Sequence, residues 1–302
     1  MIDRVCVAGA GVIGSLFAAH LARVCEVSVL CRREEHARAL SAAGLRVSGK
    51  HEFVAAVSAA VAPEDLAEPD VVIVATKATG LEAAAGALSG HWPNAAVMTV
   101  QNGLGAEDVV ARHGNWPLIS AVTFMSGTKH SDVHIEYILD TETWLGPYGG
   151  TSLELVQEVG EAIVRSGLNA EVLADLRPAQ WSKLIFNATV NGVAALTGLP
   201  HDSHFAEGQL AELVHGLVDE GRAVARAAGI ELHDDPWEMN VLATKRGSAH
   251  FPSMLEDVET GRPTEVELIN GALVRNALEH GTDAPLQSAL YALVRGREAS
   301  YT

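Results

Sequence analysis

The pattern of hydrophobic and polar positions divides the chain into two parts. Up to about residue 173, short apolar runs of strand length alternate with segments of helical periodicity, which is typical of an α/β sheet. A helix predicted over residues 152–166 and a strand predicted over residues 170–173 close this part. Beyond them, strand signals end and apolar stripes at helical spacing follow. The pattern predicts an α/β domain over residues 1–173 and an all-helical domain over residues 174–302.

Apolar and β-branched runs predict the strands of the first domain. The run from Asp70 to Lys77 is apolar almost throughout, as expected of a parallel strand that is buried on both faces. The other predicted strands are a run that begins at Arg4, residues 26–31, a small inserted pair at 45–48 and 53–57, residues 95–100, and antiparallel segments at 118–125 and 133–139. The sequence therefore predicts an open sheet that is completed by antiparallel strands.

Proline and glycine mark the helices of the second domain. Pro178 suits the first turn of a helix that carries Lys183, because a proline there loses no helical hydrogen bond. Gly229 suits the end of a long helix predicted over residues 205–228. A later helix is predicted to begin at Glu265, after a segment that is rich in acidic residues.

A glycine-rich turn follows the first predicted strand and precedes an apolar-faced helix. Gly9 suits the tight turn, Gly11 permits close approach of a pyrophosphate, and Gly14 lets the helix pack on the strand. The free N–H groups at the helix amino terminus would bind the phosphates. A turn without a ligand is the alternative, but the strand-turn-helix context favours a dinucleotide site in a Rossmann-type domain. The candidate contacts are Gly9, Ala10, Gly11, Val12, Ile13 and Gly14.

Arg32 and Arg33 follow the second predicted strand, where an NAD-specific protein usually carries an acidic residue for the ribose hydroxyls. Arginine at this place can hold the 2′-phosphate of NADP instead. The alternative is a solvated basic pair at a helix start, although positive charge is unfavourable there. We therefore expect NADP(H) as the cofactor, with Arg32 as a ligand.

Two further polar residues follow predicted strands of the sheet. Lys77 ends the run that begins at Asp70, and Asn102 comes directly after the strand at 95–100. Ligands of open α/β sheets lie beyond the carboxyl ends of the strands, so both residues are candidates for the same crevice as the glycine turn. The alternatives are an exposed loop lysine and an ordinary Asn-Gly turn.

Lys183, Asn187 and Asn191 recur at every fourth position of an otherwise apolar run. In a helix this spacing stacks the three polar groups in one row, and the apolar neighbours would turn the row towards the protein interior. All three side chains donate hydrogen bonds, so they suit the carboxylate or carbonyl oxygens of a ligand. The alternative is a solvent-exposed lysine with asparagines that cap neighbouring loops.

Ser253 and Glu265 are further candidates in the second domain. The Ser253 hydroxyl suits either a helix cap or a ligand carboxylate. Glu265 suits either the first turn of a helix, where the helix dipole favours it, or an active site.

Composition and charge exclude several classes of protein. The 302 residues have ordinary globular composition, and the formal net charge of -17 argues against binding to nucleic acid or to an anionic membrane. No signal-type segment or membrane span is predicted, and Cys6, Cys25 and Cys31 lack disulfide-like spacing, so we expect a cytoplasmic location. His130 and His134 fall in strand context and do not form a metal pair, and we expect no metal.

Six motifs, in order along essentially the whole chain, resemble the ketopantoate reductase (2-dehydropantoate 2-reductase) family. Any one of them alone is weak evidence, but together they are highly specific. They are Gly-Ala-Gly-Val-Ile-Gly at 9–14, Arg32, Thr-Lys-Ala at 76–78, Gln-Asn-Gly at 101–103, Trp-Ser-Lys with two later asparagines at 181–191, and a segment at 252–265 from Pro-Ser-Met-Leu-Glu-Asp to Gly-Arg-Pro-Thr-Glu.

The resemblance implies a Rossmann-type NADP-binding domain followed by an all-helical domain. It also implies NADPH-dependent reduction of the 2-keto group of ketopantoate to give pantoate for coenzyme A synthesis. By the same resemblance Lys183 is the catalytic lysine, and Glu265 is an active-site glutamate that also contacts the cofactor. The implied substrate contacts are Asn102, Asn187, Asn191 and Ser253, and the further cofactor contacts are Arg32, Lys77 and Asn102.

The match to the family loosens at His201 and His250, which stand where a member of the family carries asparagines near the substrate. Histidine is larger and can gain charge near neutral pH, so a relative that reduces a different 2-keto acid stays open. Two ordinary surface histidines are the other interpretation.

A non-catalytic NADP-binding sensor is disfavoured, because sensing requires no proton donor such as Lys183. The apolar helices of the second domain suit either a homodimer or packing within one chain, and the oligomeric state stays open.

Overall fold

The computed structural model describes residues 1–201, 208–245 and 252–301. Two compact units are formed: Met1–Gln101 with Ala106–Leu176, and Asn102–Gly105 with Arg177–Thr302. The sequence-based division lay between residues 173 and 174, whereas the units divide between Leu176 and Arg177. The grouping of the short Asn102–Gly105 segment with the helices was not expected from the sequence.

Among the described residues, the first unit contains an eight-stranded and a four-stranded sheet. The strands are β1 Arg4–Ala8, β2 Glu26–Leu30, β3 Leu45–Gly49, β4 Phe53–Ala55, β5 Ser58–Ala60, β6 Val71–Val74, β7 Ala96–Thr99, β8 Leu118–Thr123, β9 Ser126–Ser131, β10 His134–Leu139, β11 Thr143–Tyr148 and β12 Ala170–Val172. The large sheet has the order β12-β11-β8-β7-β6-β1-β2-β5, and the small sheet has the order β4-β3-β10-β9. The large sheet is parallel from β5 to β8, and β11 pairs with β8 in antiparallel fashion.

The central strands are buried on both faces, as their β-branched sequences predict. In β6, Val71 and Ile73 pack into one hydrophobic cluster, while Val72 and Val74 pack into another. The helices of this unit are α1 Val12–Leu21, α2 Glu34–Ala43, α3 Leu81–Leu88, α4 Ala106–Ala111 and α5 Leu153–Arg165. The mixed α/β class of this unit is confirmed.

The small sheet shows where the strand predictions were incomplete. The predicted pair at 45–48 and 53–57 is confirmed as β3 and β4, but β3 also pairs with β10 in parallel fashion. The predicted segments at 118–125 and 133–139 therefore fall in different sheets, as β8 and β10. β9 of this sheet was not predicted, because it is largely polar. β5 and β11 of the large sheet were not predicted either, and β11 contains a proline.

The second unit is helical, as predicted. Its helices are α6 Arg177–Thr197, α7 Gln209–Ala227, α8 Pro236–Lys245, α9 Ser253–Glu259, α10 Asn270–Glu279 and α11 Pro285–Glu298. α6 packs against α7, α8, α9 and α11, so it forms the centre of the unit. Gly229 ends α7 with a φ of 71°, and Ile230 donates its backbone N–H to the Ala225 carbonyl. The predicted start of this helix, at residue 205, lies outside the described residues.

The prediction that Glu265 begins a helix is wrong. Glu265 precedes a hydrogen-bonded turn, and α10 begins only at Asn270. The Glu265 carbonyl accepts the N–H groups of Leu268 and Ile269, but Gly271 then bonds to Val266, which breaks the helical pattern. Within the described ranges, no helix has the length and apolar character needed to cross a bilayer.

Candidate active site

The polar row of α6 is buried. Lys183, Asn187 and Asn191 are 9%, 7% and 4% exposed, and Leu184, Ile185 and other apolar neighbours fill the core around them. The alternative of a solvent-exposed lysine is therefore excluded. Neither asparagine amide makes a hydrogen bond with a residue in the described part of the chain. Buried amides need partners, so the row is suited to a polar ligand.

Burial changes the acidity of Lys183. Loss of hydration lowers the pKa of its ammonium group to about 8, and the nearby Glu265 carboxylate opposes this effect. A lysine with a pKa near neutrality can both donate and accept a proton under physiological conditions. Such a shift, next to a charged partner, is typical of functional sites.

The short segment Asn102–Gly105, which belongs to the helical unit, holds Glu265 in place. Asn102 Nδ2 donates a hydrogen bond of 2.9 Å to Glu265 Oε2. The backbone N–H of Leu104 donates to the Leu268 carbonyl at 3.0 Å, which fixes the turn after Glu265. Asn102 therefore lies beside the candidate catalytic pair, and its interpretation as an ordinary Asn-Gly turn is insufficient.

A small cleft in the second unit contains two of the four predicted substrate residues, Asn191 and Ser253, together with Glu265. It is lined by Asn191, Ser253, Met254, Asp257, Glu265 and Ile269. Ser253 is the first residue of α9, and its exposed hydroxyl makes no hydrogen bond with a described residue, so it is not used as a helix cap there. Polar and apolar side chains therefore line the same small cleft.

Two residues of this region were missed by the sequence analysis. Asp257 is 2% exposed, lines the cleft and receives a 3.1 Å hydrogen bond from Arg262 Nε. Asn270 Nδ2 donates 2.8 Å hydrogen bonds to the Ala188 carbonyl and to Gln287 Oε1, and so fixes α6 beside its polar row. The helical spacing of Asp257 from Ser253 was a usable signal. Asn270 had no such signal, because its partners are distant in sequence.

The glycine turn of the first unit has the shape that a dinucleotide requires. Gly9 has a φ of 112°, and a Cβ there would lie 2.8 Å from the Thr76 backbone nitrogen. A Cβ at Gly14 would overlap the Gly9 carbonyl oxygen, whereas a Cβ at Gly11 would meet only the Ala75 carbonyl, at 4.0 Å. Gly11 is exposed and precedes α1 directly. The turn is tightly packed except where a pyrophosphate would approach, so these residues fit the cofactor.

The two arginines after β2 have different environments. Arg33 binds both carboxylate oxygens of Asp132, at 2.8 and 2.7 Å. Arg32 is exposed and makes no ion pair with an acidic side chain of the described residues. Lys77 is also exposed and follows β6 at the start of a short 3₁₀ turn. Arg32 rather than Arg33 is therefore available to an anionic ligand.

The chain matches two protein-family models, one in each half. Residues 5–150 match the model described as ketopantoate reductase PanE/ApbA, and residues 175–298 match the model of its C-terminal domain. The chain belongs to the ketopantoate reductase family. This confirms the resemblance found in the sequence and identifies the protein as an oxidoreductase of that family.

Several relatives and solved structures resemble the chain over nearly its whole length. A 2-dehydropantoate 2-reductase of Archaeoglobus fulgidus is 31% identical and covers 99% of both chains. The crystal structure of a ketopantoate reductase family protein from Ralstonia eutropha JMP134 is 26% identical, with a TM-score of 0.89 and 99% coverage of both chains. A D-mandelate dehydrogenase solved with NADH and anilino(oxo)acetate shares the fold at 23% identity, with a TM-score of 0.88 and 99% coverage of both chains.

Of the two histidines at which the match to the family loosens, the structure describes His201 but not His250. His201 is buried, and its ring centroid lies 5.7 Å from that of Phe186 on α6, so it is not a surface residue. His250 lies outside the described residues. His201 therefore stays a candidate determinant of the substrate, because Phe186 lies three residues after Lys183 and so neighbours it along α6.

Proposed function

We propose that the protein reduces ketopantoate to pantoate with NADPH. The observation that carries this proposal is the buried row of Lys183, Asn187 and Asn191, with the Glu265 carboxylate beside the lysine. A dinucleotide-binding turn and a buried proton donor are the two requirements of a keto-acid reductase.

Lys183 acts on the carbonyl oxygen of the substrate. When bound, the reduced nicotinamide supplies a hydride to the carbonyl carbon, so negative charge develops on this oxygen. The Lys183 ammonium group stabilises that charge and then gives its proton to form the hydroxyl group. Because Lys183 is buried, its positive charge is little screened by water, which strengthens the stabilisation.

Glu265 and Asn102 support the lysine. The Glu265 carboxylate favours the charged form of Lys183, so it keeps the donor protonated near neutral pH. Asn102 holds this carboxylate by its 2.9 Å hydrogen bond. Glu265 also offers an acceptor for a hydroxyl group of the substrate.

Asn187, Asn191 and Ser253 bind the carboxylate of the keto acid. Their neutral N–H and O–H donors bind an anion without neutralising Lys183. The two buried amides have no hydrogen-bonding partner among the described residues, which supports a polar ligand as their partner.

NADPH is proposed as the cofactor because of the charges after β2. The exposed Arg32 suits the 2′-phosphate, and Lys77 after β6 adds a second cation. An acidic residue, which would favour the free ribose hydroxyls of NADH, is absent at the end of this strand, where Cys31 and Arg32 stand.

Reduction of a different 2-keto acid is the second candidate. His201, buried against Phe186 next to the polar row, favours it, because a larger ring at this place changes the space for the substrate side chain. The D-mandelate dehydrogenase of the same fold acts on an aromatic 2-hydroxy acid, so an aromatic 2-keto acid belongs in the test.

The deciding experiment follows NADPH oxidation by absorbance. Ketopantoate is compared with 2-ketoisovalerate, pyruvate, acetolactate and benzoylformate, and each assay is repeated with NADH. A specificity constant that is highest for ketopantoate with NADPH is expected. A higher constant for another acid would assign the second candidate instead, and a clear NADH preference would contradict the role of Arg32. Tight NADPH binding without oxidation by any of these acids would contradict both candidates.

A further inference from the structure

The glycine turn is contacted by a lysine that lies outside every motif of the cofactor site. Lys129, on β9 of the small sheet, donates a hydrogen bond of 3.0 Å from Nζ to the Ala10 carbonyl oxygen. The two residues are 119 positions apart, so the contact is produced by the fold. We propose that Lys129 is a positioning residue of the dinucleotide site, which sets the Ala10–Gly11 peptide for binding of the pyrophosphate.

The geometry of the peptide group links Lys129 to the phosphates. In a planar trans peptide, the carbonyl oxygen and the following N–H point in opposite directions. Because Lys129 fixes the Ala10 oxygen, the Gly11 N–H is fixed on the side away from the lysine. This N–H makes no hydrogen bond with a residue of the described ranges, so it is available to a ligand. Lys129 therefore acts through the turn and need not touch the cofactor.

Asp132 keeps Lys129 in place. Its Oδ1 lies 3.2 Å from Lys129 Nζ, and its two carboxylate oxygens also bind Arg33. The Asp132 backbone carbonyl is 2.9 Å from His36 Nε2 on α2, which anchors the turn between β9 and β10. The Lys129 side chain is only 29% exposed, so the lysine is confined between a carbonyl and a carboxylate.

The backbone of β9 is fixed against the same turn. Gly127 lies where a Cβ would overlap the Glu136 carbonyl oxygen and approach Val12 Cγ1 to 3.2 Å. Strand β9 therefore packs closely on the start of α1, and the position of Lys129 relative to Ala10 is defined by the strand. An ammonium group near this helix terminus also favours a bound anion.

The contacts of Lys129 separate its role from that of Arg32. Lys129 is engaged by Ala10 and Asp132, whereas Arg32 makes no ion pair with a described acidic side chain. The glycine turn binds the pyrophosphate, which NADPH and NADH share, and Arg32 suits the 2′-phosphate, which only NADPH carries. Loss of Lys129 should therefore weaken both cofactors equally, and loss of Arg32 should weaken NADPH selectively.

Titration of the purified full-length protein with NADPH and with NADH, by nucleotide fluorescence, tests this inference. We expect Lys129→Met to raise the Kd of both cofactors by the same factor, about 10-fold, as for loss of a charge-assisted hydrogen bond. Lys129→Arg should restore most of the affinity. At saturating NADPH, the Lys129→Met enzyme should recover its kcat, because the lysine positions the turn and does not react. Arg32→Gln should raise the Kd of NADPH alone.

His130→Ala is the matched control, since His130 is the next residue of β9 and its Nε2 pairs with Glu136 at 2.9 Å. It should leave both Kd values unchanged.

Unchanged Kd values in Lys129→Met would overturn the positioning role, and so would a loss of affinity confined to NADPH. A lower melting temperature with normal cofactor binding would overturn it as well. The inference rests on dinucleotide binding in the proposed function, but the titration needs no keto acid. Wild-type protein that binds neither cofactor would contradict the proposed function itself, whereas equal binding by wild type and Lys129→Met would contradict only the inference.

Discussion

Asn102 Nδ2 donates a 2.9 Å hydrogen bond to Glu265 Oε2 and so joins two segments that are 163 residues apart. The contact is one of a set, since Leu104 donates its N–H to the Leu268 carbonyl at 3.0 Å. Between them, Gly103 has a φ of 96°, and a Cβ there would overlap the Leu268 carbonyl oxygen. The short segment Asn102–Gly105 therefore fixes the turn that presents Glu265 to Lys183.

The first prediction concerns this hydrogen bond. Asn102→Ala removes a donor to a charged group, so the Glu265 carboxylate loses its fixed position. We expect kcat/KM for the keto acid to fall by about 10- to 100-fold, the range for a hydrogen bond to an ionised partner. Steady-state kinetics at saturating NADPH measures the effect.

A matched control is available in the other unit. Asn94 Nδ2 donates to Glu68 Oε1 at 3.3 Å in an exposed asparagine-glutamate pair. Asn94→Ala should change kcat/KM by less than about twofold, because exposed polar pairs contribute little. Equal kinetics in the two variants would contradict a role for Asn102 in positioning Glu265.

The second prediction concerns Lys183, whose burial favours function at the expense of stability. A pKa lowered from 10.5 to about 8 means that its charged form destabilises the fold on the order of 3 kcal/mol at neutral pH. Lys183→Met keeps the length of the side chain and removes the charge. We expect turnover to fall by at least ~100-fold, as for loss of a general acid, while NADPH binding is retained and the melting temperature is equal or higher.

Lys50→Met is the control, because Lys50 is an exposed lysine of the loop between β3 and β4. It should leave turnover and melting temperature unchanged. A Lys183→Met enzyme with normal turnover would remove the lysine from the mechanism. If that variant unfolded at a much lower temperature and regained normal turnover when cooled, Lys183 would be a structural residue.

The local features of the site were predictable from the sequence, whereas the long-range contacts were not. The row of Lys183, Asn187 and Asn191 follows from helical spacing and its apolar neighbours, and the glycine turn follows from its position between a strand and a helix. These signals depend only on residues within about two turns of helix.

Glu265 and Lys129 show the limit of sequence analysis. The helix expected at Glu265 is replaced by a turn whose Leu268 carbonyl bonds to Leu104, more than a hundred residues away in the chain. Lys129 lies on a polar strand without a clear pattern, and its contact with Ala10 exists only because the small sheet packs on α1. Tertiary contacts of this kind override local preference.

The third prediction concerns pH. Lys183 must carry a proton to donate it, and burial lowers its pKa to about 8. We therefore expect kcat/KM for keto-acid reduction to be constant below this pH and to fall about tenfold per pH unit well above it. Since the Glu265 carboxylate raises the pKa of Lys183, Glu265→Gln should move the fall to lower pH. An unchanged profile in Glu265→Gln would assign the titration to another group.

The fourth prediction concerns the effect of the Lys183 ammonium group on the free energy of unfolding at different pH values. The lysine regains its ordinary pKa of 10.5 on unfolding, so the unfolded chain binds more protons than the folded chain between about pH 8 and that value. The contribution of Lys183 to the free energy of unfolding therefore rises with pH across this window and is constant below it. Denaturant unfolding of wild type and Lys183→Met measures the difference, which should shrink from pH 8 to pH 10. A constant difference would mean that Lys183 titrates normally in the folded protein.

The fifth prediction separates cofactor binding from folding at the glycine turn. A Cβ at Gly11 would meet only the Ala75 carbonyl, at 4.0 Å, and the residue has an ordinary φ of -78°. Gly11→Ala should therefore fold with an unchanged melting temperature, yet its methyl group would occupy the space that the pyrophosphate needs. We expect the Kd of NADPH to rise by at least ~10-fold, as for loss of one good hydrogen bond to an ionised group.

Gly150→Ala, where a Cβ meets no atom within 4 Å, is the control and should leave the melting temperature and the Kd of NADPH unchanged. Normal NADPH affinity in Gly11→Ala would show that the phosphates bind elsewhere on the first unit, because the substitution leaves the rest of the turn intact.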